Sequence, residues 1–288
     1  MYTIAGATGR VGSGTARRLL ADGEPVRVLV RDGSKGAAWS ERGAEVAVVD
    51  LADRSGLTDA LAGSRGFFAL LPFNLEVTDF YADARSLADS ITGAVADSDV
   101  PHVVMLSSIG ADLAEGTGPI WGLHVLEEQL RGTAAVVSAL RSRHFQEKVT
   151  DVLDAARHAS VYPVFGDSAD VPKPMIATTD IGRVVAQTLL SPPAASEVVD
   201  LDGPAYTERQ VAAKLGAALG KQLEVVTIPQ PGWVDALVDA GFSPHIAEVL
   251  AGLSEAEQRG ILTPRGDRTV HCATELDETL AALVGAPV

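Results

Sequence analysis

The sequence predicts an α/β fold: a doubly wound parallel sheet with helices on both faces and a smaller, mostly helical C-terminal lobe. Three observations carry this expectation. The chain opens MYTIAGATGRVG, an apolar strand running into a glycine-punctuated turn and then a helix. Short β-branched runs alternate with amphipathic helical stretches through about residue 140, and such alternation builds parallel sheets covered on both faces. Residues 141–180 then lose this regularity and carry Pro163, Pro172 and Pro174, which suits a segment packed across the carboxyl edge of the sheet.

Each element follows from its own pattern. In the opening turn Gly6, Gly9 and Gly12 have separate tasks: a tight strand-to-helix turn, close approach of backbone to a pyrophosphate, and close packing of helix on strand. A side chain at Gly9 is expected to block that approach and to disfavour a positive φ there. The helix starting near Gly9 aims its free N–H groups and positive dipole end at the same spot. The residues expected around a dinucleotide phosphate are therefore Gly6, Thr8, Gly9, Arg10, Val11 and Gly12. Val11, Leu19 and Leu20 share a helix side, and the helix stops at Gly23. A strand over 26–30, a helical SKGAAWSERG segment, a strand over 45–50, a helix around 57–61 and a strand over 66–71 come next. A long helix over 76–99, strands over 101–108 and 134–140, and a helix over 120–130 between them complete a Rossmann-like half.

Beyond it the pattern gives a helix at about 147–158, a helix over 180–190 opening on Asp180, and a strand over 197–202 that rejoins the parallel sheet. Thr207 and Gln210 form a capping box for a helix ending near Gly220, followed by a strand over 222–228. Ser243-Pro244 and Ser254-x-x-Glu257 read as starts of two further helices, and Thr274 opens the last. The division expected is residues 1–141 plus about 176–202 as a cofactor-binding unit, with about 142–175 and 203–288 as the substrate lobe.

Composition limits the choices. With 288 residues and 47% hydrophobic content the chain can bury a large core. A net charge of −15 argues against nucleic acid or an anionic membrane as partner. Cys272 is the single cysteine and reads as a small buried hydrophobe; together with the absence of a leader-like opening it suggests a reducing cytoplasm. No apolar run reaches transmembrane length, and no metal site is expected.

Past the second strand stands VLVRDGSK. Arg31 and Lys35 favour a 2′-phosphate and hence NADP(H), whereas Asp32 speaks for a ribose hydroxyl. Asp50, at the end of the third strand, reads either as an adenine-edge contact or as a turn residue.

Seven blocks now combine: GATGRVG, VLVRDGSK, VVDLAD, MLSSIGA, LRSRHFQEKV, PMIATTDIGRVVAQTLL and VVDLDGPAYTERQVAAKLGAALG. Together they cover residues 1–220 and resemble the NmrA-like branch of the atypical short-chain dehydrogenases/reductases. The resemblance implies a Rossmann fold, usually NADP(H), and activities from quinone, dye or isoflavonoid-type reduction to redox sensing without turnover. The superfamily's Tyr-x-x-x-Lys proton relay is absent, because the matching helix reads WGLHVLEEQL and no tyrosine lies between Tyr81 and Tyr162. His124 stands where some relatives carry a catalytic lysine or histidine, so it is either a proton donor or a surface histidine. Ser107 and Ser108 end the fifth strand and either polarise an acceptor or satisfy the strand end. Leu71, Pro72 and Phe73 are expected as apolar cover beside the nicotinamide ribose, or as a buried strand end. Phe145 is expected to wall the nicotinamide pocket. Lys148 replaces a neutral amide and either favours an acidic or phenolate-like substrate or pairs with a carboxylate.

The reading that follows is an NADPH-dependent reductase of a small conjugated or aromatic, quinone-like acceptor. The alternatives are a non-catalytic NADP(H)-binding redox sensor and, more remotely, a cofactor-assisted isomerase.

Overall fold

In the computed structural model, which describes residues 1–284, the first half of the chain alternates strand and helix as expected. In order it forms β1 (Tyr2–Ile4), α1 (Arg10–Ala21), β2 (Val26–Val30), α2 (Ala37–Ser40), β3 (Glu45–Val48), α3 (Arg54–Leu61), β4 (Gly66–Ala69), α4 (Phe80–Ser98), β5 (His102–Ser108), α5 (Ile120–Arg131) and β6 (Val136–Ser142). The second half continues with β7 (His144–Phe145), β8 (Val161–Phe165), β9 (Lys173–Ile176), α6 (Thr178–Leu190), β10 (Glu197–Asp202), β11 (Ala205–Tyr206) and α7 (Glu208–Leu219). It ends with β12 (Glu224–Ile228), α8 (Trp233–Asp239), α9 (Pro244–Gln258), β13 (Arg268–His271) and α10 (Leu276–Val284).

Eight strands form one parallel sheet in the order β13-β10-β6-β5-β4-β1-β2-β3. The chain runs outward from β1 through β2 to β3, then returns to place β4 on the other side of β1. The order therefore reverses between β1 and β4, where a doubly wound sheet opens a crevice at its carboxyl ends. One face is buried under α3, α4 and α5 through Leu57, Ile91 and Leu126. The other is buried under α1 and α6 through Leu19, Ile181 and Val185. A third core, built on Tyr162, Met175, Leu215 and Leu276, holds the lobe. There β11-β9-β7 and β12-β8 form two small sheets.

Several elements depart from expectation. The helix expected at about 147–158 is a 3₁₀ segment, Gln146–Val152, followed by a π-helical turn over Ala155–Ala159. Tertiary anchoring overrides the helical period here: Glu147 accepts the Thr178 N–H and hydroxyl, and the Gln146 amide donates to the Thr274 and Met175 carbonyls. Ser254 starts no helix. It lies inside α9, whose N-cap is Ser243 with its hydroxyl accepting the Ile246 N–H. Helix α6 begins ahead of Asp180, whose carboxylate is buried and accepts the Thr274 N–H. Strands β8 and β9 contain Pro163 and Pro174, which obscured them; each lies in a short sheet that tolerates a missing donor. Strand β13 adds the eighth strand from within residues 203–288 and is mostly exposed, so its alternation is weak; Arg268–Glu197 pairing ties it to β10. Helix α8 also went unread and is pinned by Trp233, whose indole N–H donates to the Ile228 carbonyl.

Cys272 is buried, and burial first, then Asp180, raises its thiol pKa to about 11, as expected of an inert packing residue. Among the described residues no helix is long and apolar enough to cross a membrane.

Candidate active site

The glycine turn takes the form a phosphate cradle needs. Gly6 adopts φ +64°, which turns the chain off β1. A Cβ on Gly12 would lie 2.3 Å from the Gly6 carbonyl oxygen, so only glycine lets α1 press onto the turn. Gly9 is the N-cap with φ −94°, extended backbone open to any residue, which corrects the expectation of a positive φ there. Its contribution is the missing side chain. No side chain caps α1 and its first turn has no acidic residue, leaving N–H groups and the helix dipole for an anion. Thr8, Gly9 and Arg10 are exposed at this rim, while Val11 and Gly12 are buried against the sheet.

At the end of β2, Arg31 and Lys35 are both exposed on the turn that follows. The competing Asp32 is occupied: its carboxylate accepts the Ser34 N–H at 2.9 Å and the Ser34 hydroxyl at 2.8 Å. Those bonds hold its pKa below the usual carboxylate value. Asp50 forms the turn, its Oδ1 accepting the Ala52 N–H at 2.9 Å, and its carboxylate is exposed just past the end of β3.

A cavity of about 480 Å³ opens at the carboxyl ends of β4, β5 and β6. Leu70, Leu71, Phe73, Leu106 and Phe145 give it apolar walls, Ile120 and Leu123 of α5 close one side, and Leu253, Glu257 and Leu262 cover it. Pro72 lies outside the lining, exposed beside it, and Leu70 takes the place expected for it. Cavity and cradle share a wall: a Cβ built on Gly6 would fall 2.3 Å from Leu70 Cδ2.

Of the polar residues expected here, Ser107, Ser108 and Lys148 line the cavity and His124 does not. His124 lies in a separate shallow depression with Arg85, Trp121 and Glu128. Its Nδ1 is 2.9 Å from the Ala111 carbonyl. The physical reason is helical: α5 presents Ile120 and Leu123 to the cavity, and one further residue along turns the side chain about 100° away. Ser107 reaches the cavity but gives its hydroxyl proton to Glu127 Oε1 at 2.5 Å. Ser108 gives its own to the Ile109 carbonyl at 3.1 Å. The Ser107 hydrogen is committed to a buried carboxylate, which favours the strand-end reading for that residue, whereas the Ser108 hydroxyl makes a local bond to the next residue's carbonyl at the cavity edge. Lys148 pairs with Asp151 at 3.0 Å.

Behind Ser107 sits a buried charge cluster. Glu127 takes Arg141 through two nitrogens, at 2.9 and 2.6 Å, and Arg141 also meets Asp112. Burial opposes the charge on Arg141, and Glu127, Asp112 and Asp200 more than restore it. Glu127 thus occupies the helix from which the superfamily's relay would come. No tyrosine lines the cavity among the described residues. Tyr162 is buried with its hydroxyl donating to Glu208, and burial first, then Glu208, pushes its pKa up.

The sequence reading missed one polar group on the cavity wall. His144 Nε2 lies 2.8 Å from Glu257 Oε1, and Lys173 Nζ lies 2.8 Å from Glu257 Oε2. Burial would raise the Glu257 pKa, but His144 and Lys173 outweigh it and bring it down to about 2. The signal was faint: His144 stood unremarked inside LRSRHFQEKV, and Glu257 was read as part of a helix start. Arg143, also on the cavity, has a buried Nε without a hydrogen-bond partner among the described residues.

Comparison with known proteins agrees with this geometry. The model of the NmrA-like family matches residues 2–264. The chain is 26% identical over 254 residues to an NAD(P)H azoreductase of Xenophilus azovorans, covering 87% of this chain and 85% of the relative. It is 25% identical over 294 residues to quinone oxidoreductase 2 of Escherichia coli K12, covering 100% and 94%. Among solved structures, the NADPH-dependent quinone oxidoreductase QOR2 of Escherichia coli complexed with NADPH superposes with a TM-score of 0.81 at 23% identity, over 98% of this chain and 99% of that one.

Proposed function

The chain belongs to the NmrA-like family, and from that premise we propose that it is an NADPH-dependent reductase delivering hydride to a small conjugated or aromatic acceptor of the quinone class. The observation that carries this reading is the shared wall: Leu70 packs over Gly6 of the phosphate turn and also lines the cavity. A dinucleotide whose pyrophosphate rests on that turn brings its reactive end to the cavity. The named azo- and quinone-reducing relatives support the acceptor class.

The residues present fit the cofactor. Gly6, Thr8, Gly9, Arg10, Val11 and Gly12 cradle the pyrophosphate, and Arg31 and Lys35 meet the 2′-phosphate. Asp32 is engaged by Ser34. Leu70, Leu71 and Phe73 would cover the nicotinamide ribose, with Pro72 exposed beside them, and Phe145 would wall the ring. When bound, NADPH supplies the hydride. The chain's own residues orient a flat acceptor between apolar walls, exclude water, and offset the negative charge that develops on its oxygen. Arg143 is suited to the last task, because no carboxylate among the described residues pairs with its guanidinium.

Residues 1–141 with about 176–202 act as the cofactor unit, extended by β13, and about 142–175 with the rest of the described residues from 203 onward form the substrate lobe; the last four residues of the expected 203–288 lie outside the described residues. A reducing cytoplasm suits the single buried thiol of Cys272. The missing tyrosine relay favours a second reading, an NADP(H) sensor that binds without turnover. A screen of NADPH oxidation against quinones, azo dyes and enones separates the two: sustained oxidation with quinones supports the reductase, and tight binding without oxidation supports the sensor.

A further inference from the structure

We infer that His144 is the proton donor of the reduction and that Glu257, anchored by Lys173, is its positioning residue. The inference rests on the reductase reading. Three elements of the lobe converge here: His144 from β7, Glu257 from α9 and Lys173 from β9, all on the wall of the 480 Å³ cavity. Each oxygen of Glu257 has one partner, His144 Nε2 at 2.8 Å and Lys173 Nζ at 2.8 Å. The carboxylate is therefore fixed from both sides and cannot swing away from the imidazole. His144 is the most exposed of the three, with 37% of its side chain accessible against 18% for Glu257. With Nε2 held by the carboxylate, Nδ1 is the ring nitrogen left to serve a ligand, the division of labour by which a carboxylate orients a catalytic imidazole.

The neighbouring charges exclude the other candidates. The charged groups on the cavity are Arg143 and Lys148 from the segment around β7, Lys173 from β9 and Glu257 from α9. Glu208 of α7 stands behind Lys173 at 3.6 Å, tied in turn to the Tyr162 hydroxyl. A guanidinium gives up no proton near neutrality. Lys173 keeps its proton between two carboxylates, which outweigh the opposing effect of burial. Lys148 is mostly exposed and engaged with Asp151. His124 lies off the cavity, and an aliphatic hydroxyl such as that of Ser107 or Ser108 is too weak an acid to supply the proton itself. His144 is left as the cavity group whose ring can both carry a proton and give it up, one nitrogen staying bonded to Glu257 while the other serves the acceptor.

The step balances. A hydride from NADPH supplies both electrons and one hydrogen to the quinone, and the O–H bond of the quinol forms as the Nδ1–H bond of the His144 imidazolium breaks. The neutral imidazole keeps its Nε2–H on Glu257, and solvent at the exposed ring returns the proton. NADPH, one proton and quinone thus become NADP⁺ and quinol.

Two arms test this. In the cofactor-free protein, the His144 ring nitrogens are followed by NMR in the parent and in Glu257→Gln, and the Nε2–H signal held by the carboxylate in the parent is expected to broaden or vanish in the variant as the proton exchanges with solvent. An Nε2–H signal unchanged by the substitution would overturn the positioning role. In the second arm, His144→Phe and the parent are compared for NADPH affinity by calorimetry and for quinone reduction across pH. Affinity is expected to hold while turnover falls roughly 10²–10⁴-fold and the pH profile of the remaining rate departs from the parent's. Glu257→Gln is expected to lower turnover and alter the pH profile with KM little changed. An active parent whose rate and profile survive in His144→Phe overturns the inference alone; a parent that oxidises NADPH with no acceptor overturns the reductase reading and the inference with it.

Discussion

Ser107 gives its hydroxyl proton to Glu127 across 2.5 Å, and the same carboxylate binds Arg141 through two nitrogens. The end of β5, at the carboxyl edge where this fold presents groups to its ligands, is here a strut for a buried ion pair. Ser107→Ala should therefore cost stability more than chemistry: about 1.5–3 kcal/mol, the value of a hydrogen bond to a charged group, with turnover within a few-fold of the parent. Glu127→Ala should cost about 3–5 kcal/mol because it strands Arg141 in the interior. Denaturant unfolding beside quinone reduction checks both; a hundredfold loss of turnover in a stable Ser107→Ala would return the serine to the chemistry.

Two glycines on α1 should respond in opposite directions. A Cβ at Gly12 would sit 2.3 Å from the Gly6 oxygen and 2.6 Å from the Ala5 oxygen, both rigid backbone. At Gly14 the nearest outside atom would be the Gly182 Cα at 3.9 Å, an ordinary contact. Gly12→Ala should destabilise by about 1–3 kcal/mol and weaken NADPH binding. Gly14→Ala should gain up to about 1 kcal/mol from helix propensity. Thermal melts with and without NADPH distinguish them, and equal effects would contradict the packing described.

The cofactor preference should reside in Arg31 with Lys35. NADPH should bind more tightly than NADH, and Arg31→Ala should lose roughly 1.5–3 kcal/mol of NADPH binding while barely changing NADH. Calorimetry with both cofactors decides it; equal affinities in the parent would contradict the 2′-phosphate contact.

The Glu257 cluster makes stability depend on acid. The folded pKa of this carboxyl is depressed from 4.5 to about 2, so its contribution is complete above 4.5 and is lost as pH falls toward 2. The parent should be more stable than Glu257→Gln at neutral pH, and the gap between them should close across that window. A gap constant from neutrality to pH 2 would show that the pairing contributes nothing.

Most of the sheet was legible because buried parallel strands are short, β-branched and punctuated, as in Val26–Val30 and His102–Ser108. The cradle was legible because its geometry is local: Gly6 and Gly12 meet within one turn. The lobe was legible only where its signals are local, as in the capping box that opens α7, the strand β12, the Ser243-Pro244 start of α9 and the final helix α10. Strands β7, β8, β9 and β11 carry a proline or have two residues, and Gln146 and Glu147 bond partners more than 25 residues away, which no local periodicity reveals. The same distance hid the cavity's polar group, since His144, Lys173 and Glu257 lie far apart in sequence and meet only in the fold. His124 drew notice by its place in the motif, yet the turn of α5 carries it away from the cavity.

The central claim, hydride transfer from NADPH to a quinone-class acceptor, is met most directly by a single turnover. Protein saturated with NADPH is mixed with a simple benzoquinone in a stopped-flow instrument, and the nicotinamide and quinol absorbances are followed together. Reduced nicotinamide should be lost in step with quinol formation, one for one, and faster than in a protein-free mixture. Bound NADPH that remains reduced in the presence of the quinone, and of an azo dye tested beside it, would rule out hydride transfer and leave a cofactor-binding protein without turnover.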